Sequence, residues 1–151
     1  MLQLTRDAHR DVEFGVDVST GQADLLFLPQ PSEVGGDRAL RVVATHLGLR
    51  PAERREQVEC LVKLFTWHPQ DYAVLMGDLN EWFLWGRPLK RLHRYFDETP
   101  ARATFPSRMP VLALDRLWVH PGSILRGLNV HDSALARVAS DHLPLVATLE
   151  M

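Results

Sequence analysis

The residues able to carry hydrolytic chemistry fall in four short clusters, each at the end or the start of an apolar run. They are Thr45-His46-Leu47, Gly77-Asp78-Leu79-Asn80-Glu81-Trp82, Leu114-Asp115-Arg116-Leu117 and Ser140-Asp141-His142-Leu143-Pro144. Open α/β sheets assemble their sites where strands end, because loops there present polar side chains on a rigid frame. Imidazoles and carboxylates together can position a water, accept its proton and supply another, and carboxylates can hold a hard cation. Each cluster also has a plainer use. A His after a strand is commonly solvated or capping, Gly-Asp-x-Asn suits an ordinary turn, and Asp141-His142 suits the loop that opens a strand. Asp115 fits a plain use less well. Leu112 and Leu114 precede it and Leu117 and Val119 follow, so its carboxylate needs a buried partner such as His or Arg.

The elements that must position these clusters are legible as periodicities. VEFGVDV at 12 to 18 alternates as a half-buried strand does, and Leu25 to Leu28 is a second short apolar run, so a hairpin through Ser19 to Asp24 is expected. Pro29 to Asp37 concentrates Pro, Gly and acidic residues and predicts a surface loop. Ala39 to Thr45 predicts a buried strand, Gly48 a break, and Pro51 the start of a helix to about Phe65. In that helix Val58, Leu61, Val62 and Phe65 form the apolar face, with Glu53, Arg54, Arg55 and Glu56 expected mostly outside. Asp71 to Met76 predicts a strand ending at Gly77, and residues 87 to 96 a short helix. Leu112 to Val119 and Leu143 to Leu149 predict two further strands, with a weaker one at Ile124 to Val130. Strand, helix, strand in this order points to a layered α/β arrangement.

At 151 residues, 46% hydrophobic and 24% charged, the chain fits one domain with its own core. A net charge of -2 provides no global field toward nucleic acid or an anionic membrane, so any attraction for phosphate must be local. Residues 81 to 110 hold six basic and three acidic side chains, against three and seven in the first forty, which makes that stretch the candidate anion-facing rim. Trp82, Phe83 and Trp85, with Arg87, Lys90, Arg91, Arg94 and Arg108, could form it; equally, the aromatics could cap the core and the basic residues be a solvated helix face. His9, His68, His93, His120 and His131 match no motif and are expected at the surface. A single cysteine, Cys60, excludes an internal disulfide and a multi-cysteine metal site. The first residues contain no long apolar stretch, and a soluble, cytoplasmic protein is expected.

Taken in order, the four clusters resemble the endonuclease/exonuclease/phosphatase family, which includes deoxyribonuclease I. GDLN at 77 to 80 and SDHLP at 140 to 144 are the most specific matches, supported by THLGL at 45 to 49, TFPSR at 104 to 108 and LDRLWV at 114 to 119. The resemblance covers roughly residues 39 to 151 and implies a deoxyribonuclease I-like α+β fold, a two-sheet sandwich with flanking helices, here partial. It implies hydrolysis of phosphodiesters or phosphomonoesters. His142 would contact the phosphate or activate its nucleophile, Asp115 would hold the imidazole tautomer, and Asp78 and Asn80 would orient the water and a phosphate oxygen. His46 would sit near the phosphate or the leaving oxygen, and Asp141 would ligate magnesium or manganese. Trp82 and Arg108 would belong to a substrate rim. The substrate could be nucleic acid, a phospholipid headgroup or a small phosphate ester.

Two family features are absent: an early strand bearing Asn, and a strand ending in Gln-Glu whose Glu is a principal metal ligand. The chain therefore resembles a carboxy-terminal portion, a single truncated domain over residues 1 to 151. On this expectation the strand at 143 to 149 lacks a neighbour, and its free edge would invite a homodimer or a completing chain. Two functions stay open: a magnesium-dependent phosphoesterase, or a catalytically impaired remnant or partner-completed subunit of one.

Overall fold

A computed structural model of the chain describes residues 40–67, 71–82 and 87–150, and the backbone of three short strands at 5–6, 11–15 and 26–28. These strands are β1 (Thr5–Arg6), β2 (Asp11–Gly15) and β3 (Leu26–Leu28). After them come β4 (Leu40–His46), α1 (Pro51–Trp67), β5 (Tyr72–Asp78), α2 (Arg87–Leu92), β6 (Asp115–His120), β7 (Leu125–Val130), α3 (Ala136–Ala139) and β8 (Leu145–Glu150). Two four-stranded sheets form, ordered β1-β2-β8-β7 and β3-β4-β5-β6. Among the described strands only β4 and β5 pair in parallel, which is why a helix, α1, must carry the chain from one to the other.

The apolar pattern of each strand shows which way it faces. Val42, Val74, Met76, Leu117 and Val119 pack with Leu128, Leu145, Ala147 and Leu149 of the opposite sheet. The alternate positions Val43, Ala73, Leu75 and Trp118 pack against Val58, Leu61 and Phe65 of α1 and Leu89 and Leu92 of α2. The central strand β5 is therefore buried on both faces and reads as a continuous apolar run. The arrangement is the predicted two-sheet sandwich with flanking helices. No helix among the described residues is long and apolar enough to cross a membrane.

Several expectations are corrected. The strands at 12 to 18 and 25 to 28 do not form a hairpin with each other, since β2 pairs with β8 and β3 with β4, in different sheets. The turn at Ser19 to Asp24 and the loop at Pro29 to Asp37 lie outside the described residues. Strand β8 has no open edge: β2 covers one side and β7 the other, both antiparallel, so its ladder donors and acceptors are taken up within the chain. The strand expected from Leu112 begins only at Asp115, because Leu112 bridges to Phe105 instead. His93 and His120 are partly buried rather than at the surface, ringed by Trp118 and Tyr95 at centroid distances of 5.5 and 5.1 Å. Arg54 is buried, not on the outer face of its helix.

The ends of β4 and β5 approach so closely that only glycine fits between them. Gly77 has φ +140°, and a Cβ there would lie 1.7 Å from the Thr45 carbonyl oxygen. Gly77→Ala is expected to destabilise the fold by at least ~2 kcal/mol, read from urea denaturation. A variant as stable as the wild type would show that the two strand ends have room to part.

Candidate active site

Period-two alternation carries three polar residues onto the inner face of one sheet. On β4, Val42 and Ala44 belong to the inner core and His46 follows on the same side; on β5, Val74 and Met76 lead to Asp78; on β6, Leu117 and Val119 trail Asp115. The pairing places His46 opposite Asp78 and Asp78 opposite Asp115. A row of imidazole and two carboxylates thus crosses three adjacent strands at one end of the sheet. The turn after β5 secures the middle member. Asn80 adopts φ 50°, its backbone N–H donates to Asp78 Oδ1 at 2.8 Å, and its Nδ2 donates to the Leu47 carbonyl at 2.7 Å. This is the side-chain-closed turn that Asp and Asn favour.

His142 reaches the row from the segment that precedes β8 in the opposite sheet. A strap at Thr104 to Ser107 brackets it: Ser107 N donates to the Asp141 carbonyl at 2.7 Å and Leu143 N to the Thr104 carbonyl at 2.9 Å. The Phe105 ring packs against the imidazole with centroids 4.8 Å apart. His142 Nδ1 lies 2.8 Å from Asp115 Oδ2, and since an ionised carboxylate only accepts, Nδ1 carries the proton. Thr104 Oγ1 donates to the same Oδ2. The opposite ring nitrogen, Nε2, is 3.9 Å from Asp78 Oδ2, while His46 Nε2 is 3.4 Å from that same oxygen. Two imidazoles therefore converge on one carboxylate oxygen.

The electrostatics follow from the geometry. The hydrogen bond to Asp115 pushes the His142 pKa up against the opposing effect of partial burial, and the charges of Asp115, Asp78 and Asp141 add to it. Burial raises the pKa of Asp78; the Asn80 N–H opposes this, the Asp115 charge adds to it, and the two histidines lower it. The imidazolium of His142 is thus favoured beside a carboxylate that burial makes more basic.

The structure brings together His46, Asp78, Asn80, Asp115 and His142. Asp141 does not join them: it is exposed, and its charge is felt at His142. Among the described residues no three His, Cys, Asp or Glu are grouped to hold a metal ion. Trp82 stands on the surface two residues beyond Asn80, 62% exposed, and Arg108 is exposed with its carbonyl accepting from Arg137. Phe83 and Trp85 lie outside the described residues. Arg91 pairs with Glu59 of α1 and so forms a surface helix contact. Sequence reasoning assigned no role to Thr104, fully buried beneath Asp115, although TFPSR was already a visible motif.

The raised pKa of Asp78 has a consequence for stability. A group whose folded pKa exceeds its unfolded value contributes stability below the unfolded pKa and loses it as pH rises through the folded one. Asp78→Asn is therefore expected to be at least as stable as the wild type near neutral pH and to lose less stability as pH rises above about 4, the unfolded carboxylate value, by urea denaturation at a series of pH values. A variant clearly less stable at neutral pH would mean that the histidines more than offset the burial of the carboxylate.

No family model matches the chain. It is 33% identical over 121 residues to the uncharacterised protein YbhP of Escherichia coli K12, a match covering 76% of this chain and 47% of YbhP. The chain spans about half the length of the curated relatives it matches. The structure of an endonuclease/exonuclease/phosphatase from Bacteroides vulgatus is similar with a TM-score of 0.57 at 18% identity, covering 75% of this chain and 51% of that one. A 3'-5' exonuclease from Neisseria meningitidis, NExo, gives 0.54 at 16% identity, covering 74% and 62%. Identities this low speak to architecture alone, and the architecture is that of the endonuclease/exonuclease/phosphatase proteins, the deoxyribonuclease I-like fold.

Proposed function

We propose that the chain is the part of a phosphoesterase that carries its proton-transfer groups, acting on phosphodiesters or phosphomonoesters. The observation that carries this reading is the relay Asp115–His142, bonded at 2.8 Å, with its other nitrogen, Nε2, 3.9 Å from Asp78 Oδ2. Asp115 fixes the tautomer and favours the imidazolium, so Nε2–H is a donor for a non-bridging or leaving phosphate oxygen. Asp78, anchored through Oδ1 and made more basic by burial, presents Oδ2 to a water and can accept its proton as the water attacks phosphorus. His46, on the other side of Oδ2, is placed to hold the same water or a second phosphate oxygen. The exonuclease among the structures of this fold acts on a phosphodiester chain, which supports the class of bond without choosing the substrate.

Magnesium or manganese remains part of the proposal: Asp141 would hold the ion through its carboxylate, and the ion would supply positive charge over the phosphate oxygens. A second reading is favoured by one observation: the chain spans 47% of YbhP. On that reading it is a subunit or remnant that turns over only when completed by another polypeptide.

The test is hydrolysis of bis(p-nitrophenyl) phosphate and p-nitrophenyl phosphate by the purified chain, with magnesium, manganese or EDTA. His142→Ala is expected to lower kcat by about 10²- to 10⁴-fold. The wild-type rate is expected to fall as pH rises through the elevated His142 pKa, and Asp115→Asn to move that fall to lower pH, because it removes the bond that raises it. A rate that rises through the same range would sink the imidazolium role. Turnover appearing only after addition of a completing segment would select the second reading.

A further inference from the structure

A buried charge pair behind the sheet has no part in the proton transfers of Asp78 and His142. Arg54 on α1 is 8% exposed, as is Glu81, and Arg54 Nε lies 3.9 Å from Glu81 Oε2. Its Nη1 donates to two successive carbonyls, Gly48 at 3.2 Å and Leu49 at 2.6 Å. Those carbonyls belong to the turn that directly follows His46. The turn is held from other elements at three further points: Leu47 N donates to the Asp78 carbonyl at 2.9 Å, Leu47 O accepts from Asn80 Nδ2 at 2.7 Å, and Gly48 N donates to Gln57 Oε1 at 2.9 Å. Arg54 and Gln57, one helical turn apart, thus hold one side of the turn while Asp78 and Asn80 hold the other. Through Glu81, the residue after Asn80, the same guanidinium also reaches the turn that ends β5.

Burying a cation at the start of a helix is costly, and an apolar residue one turn before Val58 would extend the core instead. What the guanidinium provides is attachment: Nη1 serves both carbonyls of the turn while Nε of the same rigid plane faces Glu81. We propose that Arg54 is a positioning residue of this site, setting the His46 imidazole and the Asn80 side-chain amide by clamping the 47–49 turn from behind the sheet. The inference rests on the reading of His46 and Asn80 as site residues. Arg54 touches neither the row nor anything bound there; it acts through the backbone that carries them.

The experiment is amide hydrogen exchange followed by NMR on the full chain, for the wild type, Arg54→Met, Arg54→Lys and the exposed neighbour Arg55→Ala. In Arg54→Met the amides of Leu47 and Gly48 are expected to lose protection by about tenfold or more, and the Asn80 side-chain amide signals to shift. Ser107 and Leu143, which bracket His142, keep their protection; Arg54→Lys falls between, and Arg55→Ala matches the wild type. Full protection at Leu47 and Gly48 in a folded Arg54→Met overturns the proposal, as does a uniform loss across all strands, which would make Arg54 a general stabiliser. Should Arg54→Met fail to fold, Arg54→Lys and Gln57→Leu carry the same comparison. Where turnover is measurable, kcat is expected to fall about tenfold in Arg54→Met with KM changed less than about twofold, and millimolar guanidinium ion to restore part of it. Exchange needs no turnover, so an inactive wild type counts against the hydrolytic reading and leaves this inference to be decided by protection alone.

Discussion

Asp78 and Asp115 face each other directly across an antiparallel strand pair, on the inner side of the sheet, and the end of the molecule is organised around that repulsion. Like charges opposite one another in a sheet are destabilising, and burial strengthens the effect. His142 is what makes the pair tolerable. One of its nitrogens bonds to Asp115 and the other is turned toward Asp78, so a single imidazole spans both carboxylates while His46 flanks the pair on the far side. Because His142 comes with the opposite sheet, the site cannot be complete before the sandwich closes. The polar row sits directly above the core that joins the sheets, where Leu117 and Val119 meet Leu145, Ala147 and Leu149.

The row is held at the expense of local stability. Asp78 is nearly buried in a position that continues the apolar series Val74, Met76, and a carboxylate there is favoured in its neutral form by burial. Sites kept for chemistry commonly retain groups that the fold alone would exclude. The surrounding structure compensates with backbone hydrogen bonds, an Asx turn at Asp78 and the 104–107 strap bonded on either side of His142. Thr104, wholly buried, contributes at both levels: its carbonyl accepts from Leu143 and its hydroxyl donates to Asp115.

Much of this was legible from residue order because strand periodicity is local. His46, Asp78 and Asp115 each extend an alternating series, so their shared face follows once the register is known, and their position at strand ends is visible in the sequence. Long-range partners were not legible. DVEFG at 11 to 15 pairs with residues 146 to 150, far along the chain, and nothing local favours that over a hairpin with the next apolar run. For the same reason the edge of β8 was expected open and is covered. Arg54 carried a signal that its charge concealed: with Val58, Leu61 and Phe65 it follows the same three- and four-residue steps as the buried stripe of α1. Charge argued for solvent, and two carbonyl acceptors decided otherwise.

The two histidines reach Asp78 on independent supports, and this bears on what the site can do. His46 is carried by β4 and a turn tied to α1, His142 by the strap and the segment before β8. Neither makes a hydrogen bond of ordinary length to Asp78 Oδ2, at 3.4 and 3.9 Å, whereas Oδ1 is fixed by Asn80 at 2.8 Å. One oxygen of the carboxylate is therefore anchored, and the other stands between two nitrogens that it does not saturate. On the proposed reading, an incoming water or phosphate oxygen would meet an acceptor and two potential donors already placed, with little reorganisation required of the protein when charge develops. A core ion pair built for stability would close those distances; a site built to receive a ligand leaves them open.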